Sequence, residues 1–401
     1  MRFVLLFVLS AVFGIAPLCA AAQELAPGSP TDGGMAPQVL DAATVLYSEA
    51  VARGDLAGVV LLVARHGKIV LHTAIGWSDV EGRVPMTTGS RFDIASMTKP
   101  LVATATLILA ERGVLALDDP VSRYIPAFAK GESSAIRIRH LLSHTSGFRM
   151  PLRFVDSSGN PTNAVAEDSL QAEVAKYPLL GPAVTPGTTF SYSNPGFNTL
   201  AAVIEVASGR PLPALLSDLL YRPLGMTNTS QLTSRDRPPG LVSQYGMKDH
   251  RLELLAPTLY PFAIGAGFTA STASDYAKFL QMYLAGGTHG GLRILELSDL
   301  KMATSVQVRS HYIYPDPEQL EKRGLQPRWY YRRDGRGLGI DVGYGLGWVI
   351  SQSGTFCHPG VTGTFAWVDP ARDMLGVILT QSNDARNPGI EFINVVNAAV
   401  Q

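Results

Sequence analysis

The chain is poor in the features that mark many simple functional classes. It has two cysteines in 401 residues, Cys19 and Cys357. Cys19 falls in an apolar leader, so loss of that leader leaves no partner for a disulfide. Charge of neither sign dominates, since 33 Lys and Arg balance 33 Asp and Glu. That balance argues against a nucleic acid or an anionic membrane as partner. There is no Gly-x-Ser-x-Gly elbow, which argues against an α/β-hydrolase, and no internal repeat. His140 and His144 have the spacing of a metal pair, but Leu141-Leu142-Ser143 between them lacks the glutamate of a zinc hydrolase. No third ligand is obvious, so the pair reads as structural and no metal or cofactor is expected. Gly343-Tyr344-Gly345-Leu346-Gly347 leads into a strand and not a helix, unlike a dinucleotide loop. Cys357 and His358 are strand neighbours facing opposite sides, so they form no catalytic couple.

What is present begins with a leader. Met1-Arg2 precedes an apolar run from Phe3 to Leu18 and then Ala20-Ala21-Ala22. A positive charge, an apolar core and small residues make a secretory signal over 1–22, implying a periplasmic or secreted protein with no integral membrane span after processing. Gln23 to Ala36, rich in Pro, Gly, Ser and Ala, reads as a flexible tether, which leaves 37–401 as the folded domain. With 46% hydrophobic residues the chain can bury a large core.

Hydrophobic patterning predicts an α/β chain of the α+β kind. Gly58 to Ala64 and Ile69 to Ala74 read as strands joined by a turn at His66-Gly67-Lys68. Strand signals return at Gly347 to Ile350, Thr364 to Val368 and Leu375 to Thr380, and a helix from Ile390 to Val400 closes the chain. The early and late strands form one antiparallel sheet flanked by helices. A mostly helical subdomain, roughly 97–285, is inserted between them, with the site where the two meet.

The chemistry concentrates at Ser96-Met97-Thr98-Lys99. Ser96 and Lys99, three apart, share one helix face. Pro100 places them in the first turn, where unpaired N–H groups suit an oxyanion. A lysine held dry beside a serine activates it as a nucleophile. Ser298 and Lys301 repeat the spacing, but there the pattern reads as an N-cap opening a polar surface helix. The apolar run from Leu101 to Leu109 instead marks a buried helix behind Ser96. Tyr192-Ser193-Asn194 presents two side chains to one point if extended, and Pro195-Gly196 is expected to break the segment into a loop.

In combination these segments resemble the serine β-lactamase-like hydrolases, in the branch of class C β-lactamases, D-alanyl-D-alanine carboxypeptidases and secreted esterases. Ser-x-x-Lys is a family element, and Tyr192-Ser193-Asn194 matches this branch's second one. Phe92 to Ala95, His140 to Gly147, Pro223 to Met226 and Gly343 to Trp348 follow in family order, from about Leu40 to the C-terminus. The resemblance implies a β-lactamase/transpeptidase-like fold and an exported serine hydrolase that forms an acyl-enzyme. It implies Ser96 as nucleophile, with Lys99 and Tyr192 moving protons, and leaves open which of the two takes the serine proton. Asn194 would orient Lys99 and bind substrate. The N–H groups of Ser96 and Val361 would form the oxyanion hole.

The third family element departs from pattern. Where penicillin-recognising members carry Lys-Thr-Gly, this chain has His358-Pro359-Gly360. The expected partner is therefore a small-molecule or peptide acyl substrate, esterase-like or D-amino-acid peptidase-like, with His358 and Gly360 on the substrate wall. The alternatives are a class C-type β-lactamase and a non-catalytic cell-wall-binding relative. The stretch 306–341, with Arg328, Arg332, Arg333 and Arg336 among aromatics, reads either as a lid or as a surface excursion. Nothing in the sequence sets an oligomeric state.

Overall fold

Strand residues alternate between two cores, and that alternation places the site. In the central strand Gly58–Arg65, Val60, Leu62 and Ala64 join one buried cluster while Val59, Leu61 and Val63 join another. Its neighbour Met374–Thr380 divides likewise, with Leu375, Val377 and Leu379 on the first side and Met374 and Ile378 on the second. The second cluster is closed by two terminal helices, Pro37–Ala52 and Gly389–Ala398. The first continues into the inserted helices. A strand buried on both faces explains why Gly58 to Ala64 reads as an unbroken apolar run.

This computed structural model describes residues 24–148, 153–249, 251–256, 259–309, 343–382 and 386–401. Among them, the main sheet runs in the order Ala26–Pro27, Lys68–Asp79, Gly58–Arg65, Met374–Thr380, Phe365–Asp369, Phe356–Pro359, Val349–Ile350, Gly343–Tyr344. Every pair is antiparallel except the first. The early and late strands thus make one sheet, as the patterning predicts. The turn at His66-Gly67 has φ of 53° and 68°, the left-handed pair of a tight hairpin.

Two expectations need correction. Residues 24–36 are no tether. Ala26 and Gly28 donate to the carbonyls of Gly67 and Ile69 at 3.0 and 3.1 Å, and Arg65 donates to those of Gly33 and Gly34. Met35 is buried, and the N–H of Ala36 bonds Ala399. Backbone pairing of this kind leaves no trace in composition. The inserted region is mostly helical as expected, and within it Thr269–Ser271 pairs with Ser230–Gln231 and, just ahead of the insertion, with Phe92–Asp93. Pro195-Gly196 does not break the chain. Pro195 sits in the first turn of the helix Asn194–Ser208, where it forfeits no hydrogen bond, and Ser193 Oγ caps that helix by accepting from Gly196 N–H at 3.1 Å. The leader 1–22 and the arginines 328–336 lie outside the described residues.

Candidate active site

Ser96 is delivered by a strained junction. The strand Phe92–Asp93 is pinned to Thr269–Ser271, and Ile94 N–H continues the pairing to Thr269 O at 2.9 Å. Ala95 then takes a left-handed φ of 48°, which costs a non-glycine residue of order 1–2 kcal/mol. Asp93 Oδ1 accepts from Ala95 N–H at 2.9 Å, and Thr98 Oγ1 donates to Ala95 O at 2.7 Å. A short turn, Ala95–Met97, leads into the buried helix Thr98–Glu111. Ser96 is half-buried while Ala95 and Met97 on either side are buried, so the bend turns the hydroxyl toward the cleft.

Lys99 is wholly buried, and three oxygens stand within hydrogen-bond distance of its Nζ among the described residues. Ser96 Oγ lies at 3.1 Å, Asn194 Oδ1 at 2.9 Å and Ala266 O at 2.9 Å. The last two are acceptors only, so they take two N–H groups. The third direction, toward Ser96, holds either a third N–H or the lone pair of a free amine. In the second state the serine proton has somewhere to go. Ala266 is itself held by Asn198, whose Oδ1 accepts from Ala266 N–H at 3.2 Å. The preceding Gly265 lies so close to the Asn194–Ser208 helix that an added Cβ would meet Phe197 O at 2.1 Å. No larger residue fits there.

Tyr192 reaches the same amine from the other side, with Nζ 4.7 Å from its ring centroid. The ring is backed by His144 at 4.4 Å between centroids, and Phe190, Phe197 and Tyr344 pack around that imidazole. His144 Nδ1 accepts from Ser193 N–H at 3.0 Å, which puts its proton on Nε2. Burial, with Lys99 and His358 adding to it, holds His144 well below the usual histidine range. His140 and His144 do not share a helix face. The helix ends at Leu142, His144 takes a left-handed φ of 57°, and His140 Nδ1 accepts from Arg137 N–H.

His358 requires a correction. It has no exposed surface, so it does not line the substrate wall. Its Nδ1–H donates to Pro359 O at 2.8 Å, leaving Nε2 to accept from Tyr344 Oη at 3.3 Å. Burial first, then Lys99, lowers its pKa to about 3. A neutral imidazole in that place supports the wall from behind. Cys357 faces the opposite core, where burial raises its thiol to about 12.

Gly360 and Val361 come up against the nucleophile turn. A Cβ on Gly360 would meet Thr364 Oγ1 at 2.0 Å, Ile94 O at 2.8 Å and Ala95 Cβ at 3.3 Å. Among the described residues, the strand Phe356–Pro359 has no ladder partner on the Val349–Ile350 side beyond Cys357. Among the described residues no acceptor is found for the N–H of Ser96 or of Val361. Both residues are half-buried.

The structure therefore gathers Ser96, Lys99, Tyr192 and Asn194 around one amine and sets Gly360 and Val361 beside them. Ser298 is exposed on the helix Leu297–Ala303, whose N-cap is Glu296 and not Ser298. Sequence reasoning missed Asp93, Asn198 and Ala266. Asp93 had a signal, a carboxylate inside an apolar stretch directly before the nucleophile. Ala266 acts through its carbonyl and had none.

Residues 45–398 match the family described as Beta-lactamase. Esterase EstB of Burkholderia gladioli is 38% identical over 377 residues, covering 86% of this chain and 92% of that one. Among solved structures, EstCE1, a hydrolase with promiscuous acyltransferase activity, is 24% identical with a TM-score of 0.72, covering 90% and 98% of the two chains. The octameric penicillin-binding protein homologue from Pyrococcus abyssi is 21% identical with a TM-score of 0.70, covering 91% and 77%. The chain belongs to the Beta-lactamase family, as a serine β-lactamase-fold hydrolase.

Proposed function

We propose that this chain cleaves neutral esters through an acyl-enzyme on Ser96. The observation that carries the reading is the 3.1 Å approach of Lys99 Nζ to Ser96 Oγ, with the other two directions of the amine filled by Asn194 and Ala266. Ser96 Oγ attacks the ester carbonyl as its proton passes to Lys99 as free amine, or to Tyr192 as phenolate. The new C–O bond pushes the carbonyl electrons onto oxygen, and that oxyanion takes the N–H groups of Ser96 and Val361. Collapse breaks the bond to the alkoxide, which leaves with the stored proton. Water then attacks the acyl-enzyme by the same route and releases the acid. The preference for uncharged substrates rests on His358, whose imidazole is buried and neutral where a penicillin-recognising relative places a lysine. The 38% identity to an esterase supports the same side.

Intact-protein mass spectrometry tests this with p-nitrophenyl acetate and butyrate, a D-Ala-D-Ala peptide and benzylpenicillin. The expected result is an acyl adduct from the esters, absent in Ser96→Ala and unchanged in Ser298→Ala. Efficient benzylpenicillin hydrolysis at neutral pH would overturn the ester preference, and an adduct surviving Ser96→Ala would overturn the nucleophile.

A further inference from the structure

Asp93 is a buried carboxyl with no hydrogen bond to Ser96 or Lys99 found among the described residues, yet bonds from it run to both sides of the site. Its Oδ1 accepts from Ala95 N–H at 2.9 Å, the residue whose left-handed backbone aims Ser96. Its main-chain oxygen accepts from Thr362 Oγ1 at 3.1 Å, the residue directly after Val361. Gln381 Nε2 donates to the same oxygen at 2.9 Å, and Gln244 Nε2 lies 3.3 Å from Oδ2. Two further hydroxyls extend the stitch, with Thr364 Oγ1 donating to Ile94 O and Thr380 Oγ1 to Thr362 O, each at 3.2 Å. The N–H groups of Ser96 and Val361, for which no acceptor is found among the described residues, thus belong to segments tied to one residue.

We infer that Asp93 is the positioning residue of the oxyanion hole, fixing one donor through its carboxylate and the other through its main-chain carbonyl. The inference rests on the acyl-enzyme reading and deepens it. A hole works only if its donors stand where the oxyanion will form, so a residue that fixes their separation acts on the transition state and not on substrate affinity. The carboxylate half of the tie depends on the Asp93 side chain, and the main-chain half depends on the Thr362 hydroxyl, so the two can be removed separately.

The test compares Asp93→Ala, Asp93→Asn and Thr362→Val with wild type. The readouts are kcat and KM on p-nitrophenyl butyrate, the rate of fluorophosphonate labelling, Tm, and affinity for phenylboronic acid, whose tetrahedral adduct puts an oxygen in the hole. Asp93→Ala is expected to lower kcat about 100-fold with KM nearly constant, and to weaken boronate binding in step. Asp93→Asn keeps an oxygen for Ala95 N–H and is expected to recover at least about tenfold of that loss, while Thr362→Val costs about tenfold. Boronate affinity unchanged in all three variants, or Asp93→Asn as slow as Asp93→Ala, overturns the inference. If Asp93→Ala does not fold, Asp93→Asn and Thr362→Val decide: kcat and boronate affinity lowered in Thr362→Val and largely kept in Asp93→Asn support it, and both unchanged in Thr362→Val overturn it. A wild type that neither labels nor acylates removes the acyl-enzyme reading, and this inference with it. Normal wild-type labelling with unaffected variants removes the inference alone.

Discussion

The imidazole of His144 lies 4.4 Å, centroid to centroid, from the phenol of Tyr192 and is tilted 38° to it. That contact, with the bond from Ser193 N–H to His144 Nδ1, fixes where the phenol hydroxyl can stand. His144→Ala is expected to lower kcat on a neutral ester by about 100-fold, the scale set by an ångström of misplacement, while KM changes little. His144→Asn tolerates the left-handed backbone at this position and still offers an oxygen to Ser193, so it isolates the ring. A rate near wild type in His144→Asn would show that the ring does not position Tyr192.

Lys99 and Tyr192 should separate in stability although both are needed for rate. Tyr192→Phe removes one hydroxyl and is expected to slow turnover roughly 100-fold or more with Tm nearly unchanged. Lys99→Met removes a buried amine at similar volume. Replacing a buried charge by an apolar side chain is often neutral or stabilising, so inactivation without a fall in Tm is expected, read by calorimetry. A large loss of Tm in Lys99→Met would mean that its bonds to Asn194 and Ala266 outweigh its desolvation.

His358 should be silent in the pH profile. With its pKa lowered to about 3 and that of His144 well below normal, neither imidazole titrates near 6.5 in the folded protein. The kcat profile on a neutral ester is therefore expected to show no histidine limb between pH 6 and 7 (about the unperturbed value). His358→Lys is expected to lower Tm and to give no gain on carboxylate-bearing substrates, because the new ammonium would be buried near Lys99. Improved penicillin turnover by that variant would place the side chain in the cleft after all.

Asp93 sets a stability slope of the opposite sign. Burial raises its pKa to about 6, against the lowering effects of Ala95 N–H, Arg153 and Gln244. The folded protein therefore binds more protons than the unfolded chain between the ordinary aspartate value and 6. Its contribution is full below the unfolded pKa of about 3.9 and is lost as pH rises through the folded one, a change of roughly 3 kcal/mol. Asp93→Asn should remove that slope. Urea unfolding of wild type and Asp93→Asn at pH 4 and pH 7 measures it, and parallel curves would show that the carboxyl is not held protonated.

What was legible in the sequence follows from the range of each signal. Ser96 and Lys99 could be paired because three residues along a helix is a local distance. Tyr192 and Asn194 could be joined to each other for the same reason. Unbroken apolar runs at Gly58 to Ala64 and Leu375 to Thr380 marked the strands that now pair in the sheet centre. Pro195 misled because proline breaks a helix interior but fits its first turn, and only the Ser193 cap shows where that turn lies. His358 was misread because burial decides both its charge and its reach, and burial is a property of the assembled sheet. Ala266 and residues 24–36 take part through backbone groups, which every residue carries alike.

The central pairing of the sheet, Val59 against Thr380, has a consequence for how the protein is made. Nearly the whole chain must be synthesised before the first long strand meets the neighbour that covers its edge. Until then the apolar Gly58–Arg65 strand, fed early from the ribosome, has only the Lys68–Asp79 strand beside it, and its second core lacks Met374, Ile378 and the closing helix Gly389–Ala398. Non-local pairing of this kind folds late and leaves an exposed edge in the meantime. A nascent chain stalled before Met374 would therefore be a substrate for chaperones and an aggregation hazard, even with Ser96, Lys99 and Tyr192 already synthesised.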